Sequence, residues 1–193
     1  MSRQTIERLQ QEIAELKSEV ASLREALAFH QRHSSTQTAK TGEEFLRKLL
    51  GGTFTQHNAG HDIEVGSWQL EVKASDCSSI DNTRPLSTTR WTWHRIFGVG
   101  GRKSHNRLIL LGKPDVRHRP KYRDPGSPYV IFDIPTDQAR ILLELSKTPF
   151  IQITTNPLGQ RTEKGRLFWT FETTRKELVA RYAAPRRSSR RGS

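Results

Sequence analysis

The sequence has little of what secreted and membrane proteins rely on. Its single cysteine, Cys77, excludes an intramolecular disulfide and a cysteine-based zinc site, and it favours an intracellular, cytoplasmic protein. Cys77 also has no basic neighbour to activate its thiol, which argues against a catalytic cysteine. No apolar run approaches the ~20 residues that cross a bilayer, and charges interrupt the N-terminal apolar residues too often for a signal peptide.

Hydrophobic residues are scarce as well, at 33% of 193 residues, and the mean hydropathy is -0.72. A chain this polar is expected to keep part of its length solvated or dependent on a partner. Positive charge, in contrast, is abundant, since 32 Lys and Arg against 20 Asp and Glu give a net charge of +12. This charge predicts a polyanionic partner, most commonly nucleic acid, although ribosomal-type and membrane-surface proteins share it.

The first 33 residues carry a heptad repeat of apolar positions. The a positions are Ile6, Ile13, Val20 and Leu27, and the d positions are Leu9, Leu16 and Leu23. β-Branched residues at a with Leu at d favour a parallel two-stranded coiled coil, in which Glu12 and Glu19 at g would face Lys17 and Arg24 at e. The alternative is an amphipathic helix lying on its own domain, which usually has a wider apolar stripe. The repeat predicts a homodimer through residues 1–33.

The remaining chain predicts one α/β domain, with a central mixed sheet flanked by helices. Residues 34–40 are polar and predict a linker, residues 41–184 the domain, and residues 185–193 a basic disordered tail. A capping box of Thr41 and Glu44 predicts a helix from Thr41 to Leu50, ended by Gly51 and Gly52. Further strands are expected at 107–112, 129–134, 150–154 and 167–171, and helices within 135–149 and near 175–182. The first two of those strands are continuous apolar runs, which predicts that both of their faces are covered.

A β-hairpin is expected between His61 and Ser75. Gly66-Ser67 suits a two-residue loop, because Gly supplies the positive φ of a type II′ turn. The paired residues are then Val65 with Trp68, Glu64 with Gln69, Ile63 with Leu70, and Asp62 with Glu71. Because facing residues share a side of the sheet, one face is apolar. The other face carries Asp62, Glu64, Gln69, Glu71 and Lys73.

This polar face has the composition of a metal site. Asp62 and Glu71, with Cβ atoms ~5 Å apart, would repel each other unless a cation lies between them. Mg²⁺ prefers one or two carboxylates with water and phosphate as its other ligands. Lys73, on the same face, is placed to orient or deprotonate an attacking water and to stabilise charge on a phosphate. The alternative is an ordinary hairpin with a solvated face, but such faces normally avoid like charges opposite each other.

The spacing of these residues resembles the PD-(D/E)XK nuclease superfamily. Asp62 is followed, after eight residues, by Glu71-Val72-Lys73, and Gly42-Glu43-Glu44 is similar to the acidic helix that precedes the hairpin in that superfamily. Gly60-His61 stands where the name-giving proline often lies. The resemblance covers roughly residues 41–134.

The resemblance implies a restriction-endonuclease-like fold and a role for each motif residue. It implies that Asp62, Glu71 and Val72 hold Mg²⁺, with Mn²⁺ as a substitute. It further implies that Lys73 is the catalytic lysine and that Glu44, or its neighbour Glu43, assists.

Residues 83–107 are rich in Arg, Trp, Ser, Thr and His, which suits phosphate contact and groove insertion. The candidate DNA-binding residues are Arg84, Arg90, Trp93, Arg95, Arg102 and Lys103. The alternative for the tryptophans, Trp91 and Trp93, is a core position on a short helix with Ile96 and Phe97.

Two other motifs are weak. His57, Asn58 and His61 suggest a His-Asn-His nuclease only faintly, because residues 90–106 do not supply the second half at a suitable spacing. Gly98-Val-Gly-Gly101 lacks the Gly-Lys-Ser/Thr ending of a phosphate loop. The sequence therefore predicts a homodimeric, Mg²⁺-dependent DNA endonuclease of the restriction or homing type. A repair or junction-resolving nuclease and a non-catalytic coiled-coil DNA-binding protein are the alternatives.

Overall fold

The structure is a computed structural model that describes residues 11–13, 15–17, 19–20, 22, 34–56, 59–79, 89–98, 101 and 103–182. The chain divides into two units, Met1–Gln37 and Thr38–Ser193. No helix within the described ranges is long and apolar enough to cross a membrane.

The described residues between 11 and 22 are helical. Three of the heptad positions fall among them, and the residues there are exposed: Ile13 by 51%, Leu16 by 56% and Val20 by 44%. The other heptad positions and the basic tail lie outside the described residues, so the dimeric coil stays a prediction.

Helix α1 spans Ser34–Leu50 and so begins earlier than expected. Residues 34–40 are helical rather than a linker. They contain neither Gly nor Pro, and Ser, Thr and Gln each cost less than ~1 kcal/mol in a helix relative to Ala. The expected end is confirmed, because Gly51 has a φ of 69° and its N–H donates to the carbonyl oxygen of Arg47 at 2.9 Å.

The described strands form a six-stranded mixed sheet and a smaller antiparallel one. They are β1 (Thr53–Phe54), β2 (Ile63–Val65), β3 (Trp68–Ser75), β4 (Ser78–Ser79), β5 (Thr89–His94), β6 (Arg107–Gly112), β7 (Val130–Pro135), β8 (Phe150–Thr154) and β9 (Glu172–Thr173). The large sheet has the order β1-β2-β3-β6-β7-β9, in which only β3 and β6 run parallel, and the small sheet has the order β4-β5-β8. The expected mixed central sheet is confirmed.

Strand β6 is buried on both faces, as its continuous apolar run predicts. Leu108 and Leu110 pack into one core with the small sheet, and Ile109 and Leu111 pack into a second core with α1. All four side chains are fully buried. The central sheet is therefore covered on both sides.

Three further helices flank the sheets: α2 (Thr136–Ser146), α3 (Glu163–Trp169) and α4 (Arg175–Tyr182). The strand expected at 167–171 is wrong, because helix α3 covers Glu163–Trp169. A short apolar run fits a buried strand and a buried helix equally well. Thr162 selects the helix here, because its hydroxyl accepts a hydrogen bond from the Gly165 N–H and caps the first turn. Phe168 of this helix is fully buried.

Candidate active site

The hairpin has the register that Gly66-Ser67 predicts. Gly66 adopts a φ of 61°, and the pairs Val65–Trp68, Glu64–Gln69 and Ile63–Leu70 are all present. Its apolar face is buried in the core against α1. The polar face is thereby fixed on the other side of β3.

Asp62 lies just beyond the end of the β2–β3 ladder. Its N–H donates to the Leu70 carbonyl oxygen at 3.0 Å, and its Oδ2 accepts the Val72 N–H at 2.9 Å. The carboxylate therefore takes over the hydrogen bond that a longer β2 would have made to β3. This contact, rather than a direct Asp62–Glu71 strand pair, aims Asp62 along the edge of β3.

The Val72 backbone faces the same edge. Within a strand the N–H and C=O of one residue point to the same neighbour. Since the Val72 N–H is turned to Asp62, its carbonyl is turned that way too. The Val72 side chain is buried on the opposite face, so only this carbonyl is positioned to contribute to the site.

Two lysines gather around the carboxylates. Lys73 pairs closely with Glu71 Oε1 and lies 3.8 Å from Asp62 Oδ2. Lys103 Nζ donates to Asp62 Oδ1 at 3.0 Å and to the two Glu71 oxygens at 2.6 and 2.7 Å. Three carboxylate oxygens thus converge on a single cationic atom. Sequence reasoning assigned Lys103 to DNA, because its distance along the chain hid this contact.

Glu71 is fully buried. Burial raises the pKa of its carboxyl, although the neighbouring lysines lower it. Burial also lowers the pKa of Lys103, but its hydrogen bonds and attraction to Glu71 and Asp62 raise it further, so the net pKa is raised. The two carboxylates therefore favour the charged form of the Lys103 ammonium group, although Glu71 itself is poorly solvated.

Two glutamates of α1, Glu43 and Glu44, line the pocket beside this group. Burial and the negative charge of Asp62 raise the pKa of Glu43, while the positive charges of Lys73 and Lys103 lower it. Glu44 pairs with Arg47 at 2.8 Å and with Lys48 at 3.3 Å. The hydrogen bond from Arg47 lowers the pKa of Glu44 to about 2. Glu43 is thus the glutamate coupled to Asp62, and the assisting role of Glu44 or Glu43 stays a prediction.

Gly42 lets helix α1 lie close against the large sheet. A Cβ on Gly42 would lie 2.7 Å from the Ala74 Cβ and 3.1 Å from Leu111 Cδ1. Any larger residue would push α1 off the sheet. The close approach brings α1 against β3, and Glu43, the next residue, is coupled to Asp62.

A pocket of about 700 Å³ opens beside these residues. Its walls include Lys40, Glu43, Phe54, Asp62 and Lys103. Phe54 is 49% exposed. Asp62 and Glu43 thus line a space of ordinary ligand-pocket size, while Glu71 lies buried behind Lys103 and Asp62, which it contacts or neighbours.

His105 is buried close to the lysines without a polar partner. Its ring stacks on Phe97 with centroids 5.2 Å apart, and within the described residues neither ring nitrogen makes a hydrogen bond. Burial, reinforced by the charges of Lys103 and Lys73, lowers its pKa to about 4. The imidazole is therefore neutral at physiological pH.

The predicted DNA-binding residues are scattered. Trp93 is 1% exposed, stacks on Phe168 and donates from Nε1 to the Leu111 carbonyl oxygen, so its predicted DNA contact is wrong. It lies on strand β5, which also replaces the short helix considered for the tryptophans. Arg90 donates to Gln152 Oε1 at 2.9 Å, while Arg95 is exposed with a φ of 53°. Arg84 and Arg102 lie outside the described residues.

No protein-family model matches this sequence, and a comparison with curated proteins gives no match either. In the described part of the chain, no group of three or more His, Cys, Asp or Glu side chains is arranged to hold a metal ion.

Proposed function

We propose that this protein is a Mg²⁺-dependent DNA endonuclease of the PD-(D/E)XK type, with Mn²⁺ able to replace Mg²⁺. The observation that supports the proposal best is the convergence of Asp62 Oδ1 and both Glu71 oxygens within 3.0 Å of the Lys103 ammonium nitrogen. A pair of carboxylates that holds one cation at this position offers the hard oxygen donors that Mg²⁺ prefers. Two carboxylates are enough, because Mg²⁺ usually keeps several water or phosphate ligands.

The residues present fit such an ion. Asp62, Glu71 and the Val72 carbonyl would hold it, and the bound ion would polarise a phosphoryl oxygen and acidify a water ligand. Lys73 contacts Glu71 and lies at the same edge of β3. From there its ammonium group orients the attacking water and stabilises negative charge on the phosphate. Glu43 supplies a third carboxyl at the pocket wall, and burial raises its pKa.

DNA is the substrate that the charge favours. The net charge of +12 attracts a phosphate backbone, and a cationic side chain, Lys40, lines the pocket beside Asp62. Arg95 is exposed and free to reach a phosphate outside the pocket. A duplex backbone lying across this opening would place one phosphate at the carboxylates.

We infer that the active form is a homodimer, as in restriction or homing endonucleases. The exposed Ile13, Leu16 and Val20 are the described part of the predicted heptad seam. Two protomers related by a two-fold axis would place two sites on opposite DNA strands. This arrangement suits double-strand cleavage at a nearly symmetric sequence.

The direct test is incubation of the purified protein with supercoiled plasmid DNA. We expect cleavage with Mg²⁺, none with EDTA, and none with the Asp62→Asn variant, which keeps the size of the side chain but not its charge. The variant also controls for a contaminating nuclease. Cleavage by Asp62→Asn at the wild-type rate contradicts the proposed site, and DNA binding without cleavage by any form favours a non-catalytic DNA-binding protein.

Deletion of residues 1–33 tests the dimer. We expect the truncated chain to be a monomer by multi-angle light scattering, while the full chain is a dimer, because the truncation removes the predicted heptad seam. Double-strand cuts should give way to nicks, since the two sites are no longer held together. A truncated chain that remains a dimer rules out the coil as the dimerisation element.

A further inference from the structure

Lys103 lies at the centre of the candidate site, although the hairpin motif does not contain it. Its ammonium group donates to Asp62 Oδ1 and to both Glu71 oxygens, at 2.6 to 3.0 Å. These are the oxygens that the proposed function assigns to the divalent ion. A lysine and a metal ion cannot use the same oxygens from the same position at once.

The backbone around Lys103 is shaped to place it there. Gly98 has a φ of 71°, and a Cβ on it would lie 2.9 Å from Lys103 Cγ. Gly60, two residues before Asp62, lies close to Ser104, the residue that follows Lys103. A Cβ on Gly60 would lie 2.5 Å from Ser104 Oγ. The Lys103 N–H also donates to the Phe97 carbonyl oxygen at 3.1 Å. The lysine is therefore held at its backbone and along its stem.

We propose that Lys103 is an internal competitor of the divalent ion. It neutralises Asp62 and Glu71 in the metal-free protein and leaves them when the ion binds. This inference rests on the proposed function, because it takes Asp62 and Glu71 as the metal ligands. It gives the fully buried Glu71 carboxylate a hydrogen-bonded counter-charge when no metal is bound.

Competition has a consequence for affinity. Binding of the ion requires the charge-assisted hydrogen bonds of Lys103 to break, so the metal affinity is lower than the carboxylates alone would have. The displaced ammonium group remains at the wall of the pocket. A DNA phosphate in that pocket would accept it, so Lys103 passes from the carboxylates to the substrate.

Calorimetric titration with Mn²⁺, in the absence of DNA, tests this inference. We expect Lys103→Met to bind Mn²⁺ about tenfold more tightly than the wild type. Lys40→Met is the matched control, because it removes the same charge from the same pocket. Its Mn²⁺ affinity should stay within about twofold of the wild type, since a charge exposed to solvent is strongly screened.

Thermal unfolding gives a second readout. In EDTA, Lys103→Met should melt below the wild type, because Asp62 and Glu71 lose their shared counter-ion, and Mn²⁺ should restore the melting temperature. Lys103→Gln, which also removes the charge, replaces Lys103→Met if that variant does not fold.

The outcomes separate this inference from the proposed function. Equal Mn²⁺ affinities for the wild type and Lys103→Met would overturn the competition but leave the metal site intact. Equal gains in Mn²⁺ affinity for Lys103→Met and Lys40→Met would overturn it too, because the loss of any positive charge from the pocket would then explain the tighter binding. Failure of every form to bind Mn²⁺ would remove the metal site, and the proposed function with it.

Discussion

Glu71→Gln is expected to lower Mg²⁺-dependent DNA cleavage by roughly a thousandfold. Glu71 supplies two of the three oxygens that converge on the cation position, and its side chain is fully buried. Glutamine has nearly the same shape but one oxygen and no charge, so it cannot replace the carboxylate as a ligand. Initial cleavage rates at saturating Mg²⁺ and a single DNA concentration measure the loss.

A glutamate of the same hairpin provides a matched control. Glu64 is on the paired strand but is half exposed and contacts His61 at 2.9 Å. Glu64→Gln should keep the cleavage rate within about threefold of the wild type, since the charge of a solvated side chain is screened. If both substitutions lower the rate equally, general loss of negative charge explains the effect and Glu71 has no special role.

Trp93→Ala is expected to destabilise the domain by about 3–5 kcal/mol. Trp93 is 1% exposed and packs against Phe168 and Phe132, with ring centroids 5.6 and 6.2 Å away. Its removal leaves a cavity that these rings cannot fill without moving, and it leaves the Leu111 carbonyl oxygen without the indole N–H donor at 3.2 Å. Urea unfolding followed by circular dichroism measures the change.

Phe54→Ala is the control for removal of an aromatic ring. Phe54 is 49% exposed, and the Arg47 guanidinium carbon lies 5.4 Å from the centroid of its ring. Phe54→Ala should lower the free energy of unfolding by less than about 1 kcal/mol. If Trp93→Ala instead unfolds at the wild-type urea concentration and binds DNA more weakly, Trp93 contacts DNA and does not stabilise the core.

Local patterns predicted much of the domain. The hairpin register followed from Gly66-Ser67 and the alternation around it, because turn type and side-chain period are properties of a few adjacent residues. Strand β6 and strand β8 have the expected bounds, and α4 ends at Tyr182 as expected. The continuous run in β6 also predicted that both faces are covered, which its packing confirms.

Other predictions failed where a local pattern fits more than one structure. The run at 167–171 fits a buried strand or a buried helix, and the cap at Thr162 selects the helix. The basic, tryptophan-containing stretch around β5 fits a DNA-contacting surface or a core strand. Pairing of β5 with β8 buries Trp91 and Trp93 in the core. Neither choice depends on the residues of the run alone.

The sequence by itself determined the hairpin register that puts Asp62, Glu71 and Lys73 on one face, because alternation and a two-residue turn place them there. Tertiary structure alone decided what faces them. Glu43 is coupled to Asp62 because Gly42 lets α1 lie close against Ala74. Lys103 reaches Glu71 across 32 residues of sequence because Gly98 and Gly60 make room for it. Such contacts depend on how closely distant segments pack, which no local pattern contains.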